Sequence, residues 1–190
     1  MRHIMLDLET MGTSPSAVIA SIGAVSFSPF PKESDSLSLF YKITTDWDVQ
    51  ISKGRTIDAG AVKFWLQEDP IAIKELLIPE DGKLAVKTLS ALIDFADFVG
   101  ERKDVCIWGN GADFDNIILG SMYECFGLTR PWSYSRNRCF RTLKNMLPKV
   151  TVSRTGTHHN ALDDAIYQAQ YMQQALLSSD ACARNLFSFE

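Results

Sequence analysis

Cysteine is sparse in this chain: its 190 residues hold four, Cys106, Cys125, Cys139 and Cys182, with no Cys-x-x-Cys pair among them. That scatter excludes a zinc ribbon and a disulfide framework, both of which need regular spacing, and leaves four ordinary thiols. Long apolar runs are missing too. Nothing approaches the ~18 consecutive apolar residues of a membrane span, and the first residues lack the basic-then-apolar order of a secretory signal. No membrane partner is expected, and the expected location is the cytoplasm. No internal repeat, linker or low-complexity segment divides the chain. Hydrophobic residues at 46% against charged residues at 22% can supply a buried core, which excludes disorder. A single domain over 1–190 is expected, with its core from 3 to 178 and a tail, 179–190, whose Leu186, Phe187 and Phe189 suggest docking on the domain or on a partner.

Acidic residues are absent from one long interval. None falls between Glu124 and Asp163, whereas Arg130, Arg136, Arg138, Arg141, Lys144, Lys149 and Arg154 all do. A net charge of -4 argues against holding a polyanion by bulk charge, so the distribution matters more than the sum. The interval reads either as a solvated basic face or as a phosphate-contacting surface.

What is present is a run of short strands followed by amphipathic helices. His3 to Glu9 predicts a strand, "AVIASIGAVSF" a second and "LSLFYKI" a third, joined by turn-rich segments into an antiparallel meander. Thr56 is expected to cap a helix over "IDAGAVKFWLQED"; Pro70 opens another, closed by "IPEDGK". Leu84, Leu89, Leu92, Ile93, Ala96 and Val99 share a face, predicting a helix over 84–99 that ends at Gly100. "VCIW" is a strand, "GNGAD" a loop, and a helix then runs through "FDNIILGSMYECF" to Gly127. The last helix spans Asn160 to Leu177. The expected class is α/β, a mixed β-sheet flanked by helices.

Two acids stand inside the first strand, in "DLET". Alternation puts Asp7 and Glu9 on one face, where like charges repel unless the strand is a solvent-exposed edge or a divalent cation sits between them. Mg²⁺ prefers such oxygen ligands and leaves room for a phosphate. Asp113 and Asp115 straddle Phe114 at a helix start, where acids are favoured. In "THHNALDDAIYQA", Asn160 can cap the last helix with Asp163 at N3, as in a capping box, while Asp164 has no such local role and lies beside His158 and His159. Periodicity does not separate Asp163 from Asp164.

In this order "DLET", "NGADFD" as Asn-x-x-x-Phe-Asp and "HNALDD" as His-x-Ala-x-x-Asp resemble the three motifs of the DEDDh group of ribonuclease H-like 3′-5′ exonucleases. More narrowly, "MLDLETMG", "VKFWL", "WGNGADFDNIIL" and "HNALDDA" resemble phage and prophage exodeoxyribonuclease VIII-like proteins and a mycobacterial 3′-5′ exoribonuclease family, over roughly Ile4 to Leu176. The resemblance implies a ribonuclease H-like fold, Asp7, Glu9, Asp115 and Asp164 as metal ligands and His159 as general base, with Asp113 and Asp163 as lesser candidates. It implies two Mg²⁺ or Mn²⁺ ions: Asp7, Glu9 and Asp164 on one, and Asp7 touching a second about 4 Å away, with Asp115 acting directly or through water. Nucleic acid, single-stranded or 3′-ended DNA or RNA, is the implied partner, and a homodimer stays open as an assembly.

For the substrate, the resemblance implies Thr10 and Met11, just after the first motif, and Asn110 and Phe114 of the second. Phe64 and Trp65 are candidates for base stacking, although an aromatic pair on a helix equally suits a core, as Met11 does. Arg138 and Arg141 are the single candidates for phosphate contact from the basic interval. Two other functions stay open at this point: a non-catalytic nucleic-acid-binding module, and a metal-dependent phosphatase or nucleotide hydrolase.

Overall fold

A computed structural model describes residues 1–32, 37–77, 85–100 and 105–179. The expected tail docking, Cys182, Leu84 and the closing "IPEDGK" beyond Leu77 lie outside them. The meander forms as the alternation requires: β1 (Arg2–Thr10), β2 (Ile19–Phe27) and β3 (Ser38–Thr44) pair antiparallel. β5 (Val105–Gly109) adds parallel to β1, and with the short strands β4 (Ala85–Val86) and β6 (Asn137–Cys139) the sheet has six strands in the order β4-β3-β2-β1-β5-β6. β1 is therefore central. Asp7 and Glu9 do not belong to a solvent-exposed edge, and the bland account of "DLET" fails on that topology.

Along β1, Ile4, Leu6 and Leu8 enter one core with Leu92 and Phe95 of α4 (Thr88–Val99) and Ile118, Leu119 and Met122 of α5 (Asp115–Cys125). Met5, on the opposite face, packs with Val25, Trp108 and Ala165, Ala169 and Met172 of α7 (Ala161–Leu177). Each such Ile, Leu, Val, Phe or Met side chain, fully buried, contributes about 1.5–3 kcal/mol. Helices thus cover both faces of the sheet, and Asp7 and Glu9 share the α7 face with Met5.

The remaining elements were less legible. α1 (Trp47–Ser52), β4 (Ala85–Val86), β6 (Asn137–Cys139) and α6 (Phe140–Met146) have no counterpart in the expected pattern. β4 and β6 are too short to show a period and exist through their neighbours, Ala85 pairing with Ile43 and Asn137 with Ile107. The helix expected over 84–99 begins only at Thr88, whose backbone N–H donates to Oδ1 of Asp46 at 2.8 Å, a capping partner from a distant segment. α2 (Ala59–Trp65) starts after Asp58 instead of Thr56, because the Thr56 backbone bonds to Ser16 and Val18. α3 (Pro70–Leu77) opens at its proline as expected.

Candidate active site

β5 pairs with β1 only as far as Met5↔Trp108, and beyond that register the two strands part. The gap is filled from the next helix. Asp115, 3% exposed, accepts from the backbone N–H of Leu8 at 3.2 Å through Oδ1 and from that of Asn110 at 3.1 Å through Oδ2. Gly109 permits this approach, since a Cβ there would lie 2.5 Å from Oδ1 of Asn116 and 2.9 Å from Oδ2 of Asp115. From the other face, the first turn of α7 lies against β2 at Gly23, the register partner of Asp7. Asn160 caps that turn as predicted, its Oδ1 accepting from the N–H groups of Leu162 and Asp163 at 3.1 and 3.2 Å. Asp164 then faces β1.

One oxygen each from Asp7, Glu9 and Asp164 lies within 4.8 Å of the others. Asp115 lines the same cleft but is held by its two backbone donors. Burial first, and then Asp115, Glu9 and Asp164, push the Asp7 carboxyl well above its ordinary range, against a hydrogen bond from Gln168. Burial, then Asp164 and Asp115, do the same to Glu9. Burial pushes Asp115 up to about 7 despite its backbone donors. Crowded, desolvated carboxylates of this kind suit an oxygen-seeking divalent cation, which removes the repulsion.

His159 sits at the rim with a left-handed backbone, φ 62°. Its Nε2 is 3.5 Å from Oε2 of Glu68, and its ring meets those of Phe64 and Trp65 edge-on, with centroids at 5.1 and 5.9 Å. Burial, and then His158, lower its pKa. Asp163 turns away from the acids. Its Oδ2 accepts from the N–H of Thr157 at 2.8 Å, so its structural role holds but through Thr157 and not the N-cap residue. Asp113 is exposed.

Beside the acids opens an apolar recess lined by Leu8, Thr10, Phe64, Trp65, Phe114 and His159, among others. Trp65 forms its buried floor and donates Nε1–H to the Thr10 carbonyl at 3.0 Å, while Phe64, 41% exposed, is the freer ring. The Thr10 hydroxyl donates to the Gly12 carbonyl at 2.7 Å. Met11 joins the core of Val18, Ala20, Trp65 and Leu76 and lines neither cavity. Of the basic interval, Arg141, Lys144 and Arg154 line the acidic cleft with Asn110 and Phe114. Arg138 does not; its Nη1 donates to the Ser135 and Asn137 carbonyls. Arg154 pairs with Asp164 and stacks 4.7 Å over Tyr167. Sequence reasoning missed Glu68, Tyr167 and Gln168. Only Gln168 left a signal, one helical turn beyond Asp164.

A profile described as the 3′-5′ exoribonuclease Rv2179c-like domain matches residues 2–176. The chain belongs to that family. The exodeoxyribonuclease of Enterobacteria phage T4 is 25% identical over an alignment of 126 positions that covers 63% of this chain and 54% of the phage protein. E. coli exonuclease I in complex with a dT13 oligonucleotide matches with a TM-score of 0.64 at 15% identity, over 98% of this chain and 43% of that enzyme. Its zinc-bound complex with single-stranded DNA gives 0.65 at 15%, over 97% and 42%. This Rv2179c-like domain therefore has the ribonuclease H-like exonuclease fold, and it spans about half the length of these relatives.

Proposed function

We propose that this Rv2179c-like domain is a metal-dependent 3′-5′ exonuclease that hydrolyses the terminal phosphodiester of DNA or RNA and releases nucleoside 5′-monophosphates. The observation that carries this reading is the convergence of Asp7, Glu9 and Asp164 within 4.8 Å beside His159. Their all-carboxylate donor set fits Mg²⁺ or Mn²⁺, and Asp115 beside them would help to hold a second ion, directly or through water. When bound, two such ions lower the pKa of an attacking water and offset charge on the phosphoryl and leaving oxygens.

The chain's own groups do the rest. His159, held below its ordinary pKa, is neutral at neutral pH and accepts the proton of the attacking water. The water oxygen bonds to phosphorus as the bond to the 3′ oxygen breaks, and that oxygen regains a proton from solvent. Arg141, Lys144 and Arg154 attract the backbone phosphates toward an otherwise acidic cleft. Phe64, Trp65 and Phe114 offer the terminal base an apolar recess with Thr10 at its polar edge, and Asn110 lines the neighbouring acidic cleft. The oligonucleotide and the single-stranded DNA held by the exonuclease I complexes support a nucleic-acid strand as ligand.

End-labelled single- and double-stranded DNA and RNA, incubated with Mg²⁺ or Mn²⁺, test the reading. Stepwise shortening from the 3′ end is expected, abolished by EDTA and by Asp7→Ala. No metal-dependent 3′ shortening of any substrate, or undiminished activity in Asp7→Ala, overturns it.

A further inference from the structure

α7 sends a second polar group into the cleft one turn after Asp164. Gln168 is 5% exposed and lines the same cavity as Asp7, Glu9 and Asp164. Its Nε2 donates to Oδ1 of Asp7 at 2.7 Å. Its Oε1, fully buried, has no hydrogen-bond partner among the described residues.

These two facts belong together. An amide must turn its donor toward an anion, so the bond to Asp7 fixes which way Gln168 faces and commits its carbonyl elsewhere. A buried acceptor without a donor is destabilising, and an apolar side chain of the same length would avoid that cost. Ionised, as a cation would hold them, the carboxylates around it are acceptors only and cannot relieve it. Water bound to a cation can, because coordination makes its protons strong donors, and Mg²⁺ usually keeps several waters.

We propose that Gln168 is a positioning residue of the cation site. Its Nε2 holds one oxygen of Asp7 and leaves the other for the ion, while its Oε1 accepts from a water coordinated to that ion. The inference rests on the metal-dependent reading above. Residues that orient a ligand in this way typically contribute 10–100-fold to metal affinity.

Calorimetric titration of Mn²⁺ into the chelator-treated full chain tests it, with wild type, Gln168→Met and Gln168→Asn compared. Gln168→Met keeps the length and loses both hydrogen bonds; Gln168→Asn keeps an amide and retracts it by one methylene. Both are expected to weaken Mn²⁺ binding about 10–100-fold. Their melting temperatures in EDTA should stay at or above the wild-type value. Their hydrolysis of oligonucleotides should recover at high Mn²⁺ with KM for the strand unchanged, which a merely structural defect would not allow. Wild-type Mn²⁺ affinity in a folded variant overturns the proposal, and Gln168→Asn carries the test alone if Gln168→Met does not fold. Absence of Mn²⁺ binding by the wild type would instead overturn the metal-dependent reading itself.

Discussion

The backbone N–H of His159 donates to Oδ2 of Asp164 at 3.1 Å, so the backbone of the third-motif histidine is tied directly to its carboxylate. The left-handed backbone at His159 makes that contact and brings its ring to the edge of Phe64. Asparagine tolerates this conformation better than alanine does.

His159→Asn therefore separates the loss of a base from the loss of a turn. Its kcat is expected to fall about 10²–10⁴-fold, with melting temperature and Mn²⁺ affinity unchanged. Because burial lowers the His159 pKa, the wild-type rate should climb with pH on the acid side and level off by neutrality. Stopped assays across pH check both points, and a full rate in His159→Asn would exclude the base.

The acid cluster predicts how stability depends on pH. Asp7 and Glu9 are raised well above their ordinary values of 3.8 and 4.5, and Asp115 to about 7. Between about pH 4 and pH 7 the native state thus binds protons that the unfolded chain has released, and stability falls as pH rises through that window. In EDTA the melting temperature should drop from pH 5 to pH 8, and Mg²⁺ or Mn²⁺ should restore it at pH 8. Asp7→Asn should flatten the slope and raise the EDTA value, by about 2–4 °C for each kcal/mol of repulsion relieved.

The basic interval divides into residues that line the cleft and residues that do not. Arg141→Ala and Lys144→Ala are each expected to reduce the salt slope of single-strand binding by about 0.7. Arg138→Ala should leave it unchanged, its guanidinium being turned to Ser135 and Asn137. Fluorescence anisotropy at several salt concentrations decides this, and a slope change confined to Arg138→Ala would reverse the assignment.

Gly23 fixes the height of α7 over the sheet. A Cβ at that position would lie 2.1 Å from the carbonyl carbon of Ala161 and 2.2 Å from the nitrogen of Leu162. Gly23→Ala must push the helix start, and Asp164 with it, off Asp7. A destabilisation of about 1–3 kcal/mol is expected, with activity falling about 100-fold beyond what the folded fraction explains. Gly120→Ala, whose nearest atom would be 3.5 Å away, should be neutral or stabilising. Denaturant melts and active-site titration compare the two.

How much of this was legible follows the range of the forces. The β1 to β3 meander and the Asn160 cap could be read because alternation and capping act over a few residues. Trp65 and Phe64 could not be ranked, since which ring turns inward depends on where α2 settles against Thr10. Met11 was equally open between cleft and core, and the core took it. Asp163 and Asp164 are neighbours on one helix, and only the placement of Thr157 and β1 gave the first a backbone partner and the second a place among the acids. Arg138 and Arg141 differ for the same reason, one turned back on its own loop and the other reaching Asn110.

By itself the sequence determined which chemical groups this protein carries and in what order, because carboxylates inside an apolar strand and at helix starts show in local pattern. Tertiary structure decided which of them meet. The parting of β1 from β5, the descent of α7 onto Gly23 and the reach of Gln168 to Asp7 join residues up to 161 positions apart, and contacts at that separation are set by packing the whole sheet rather than by any stretch of the chain.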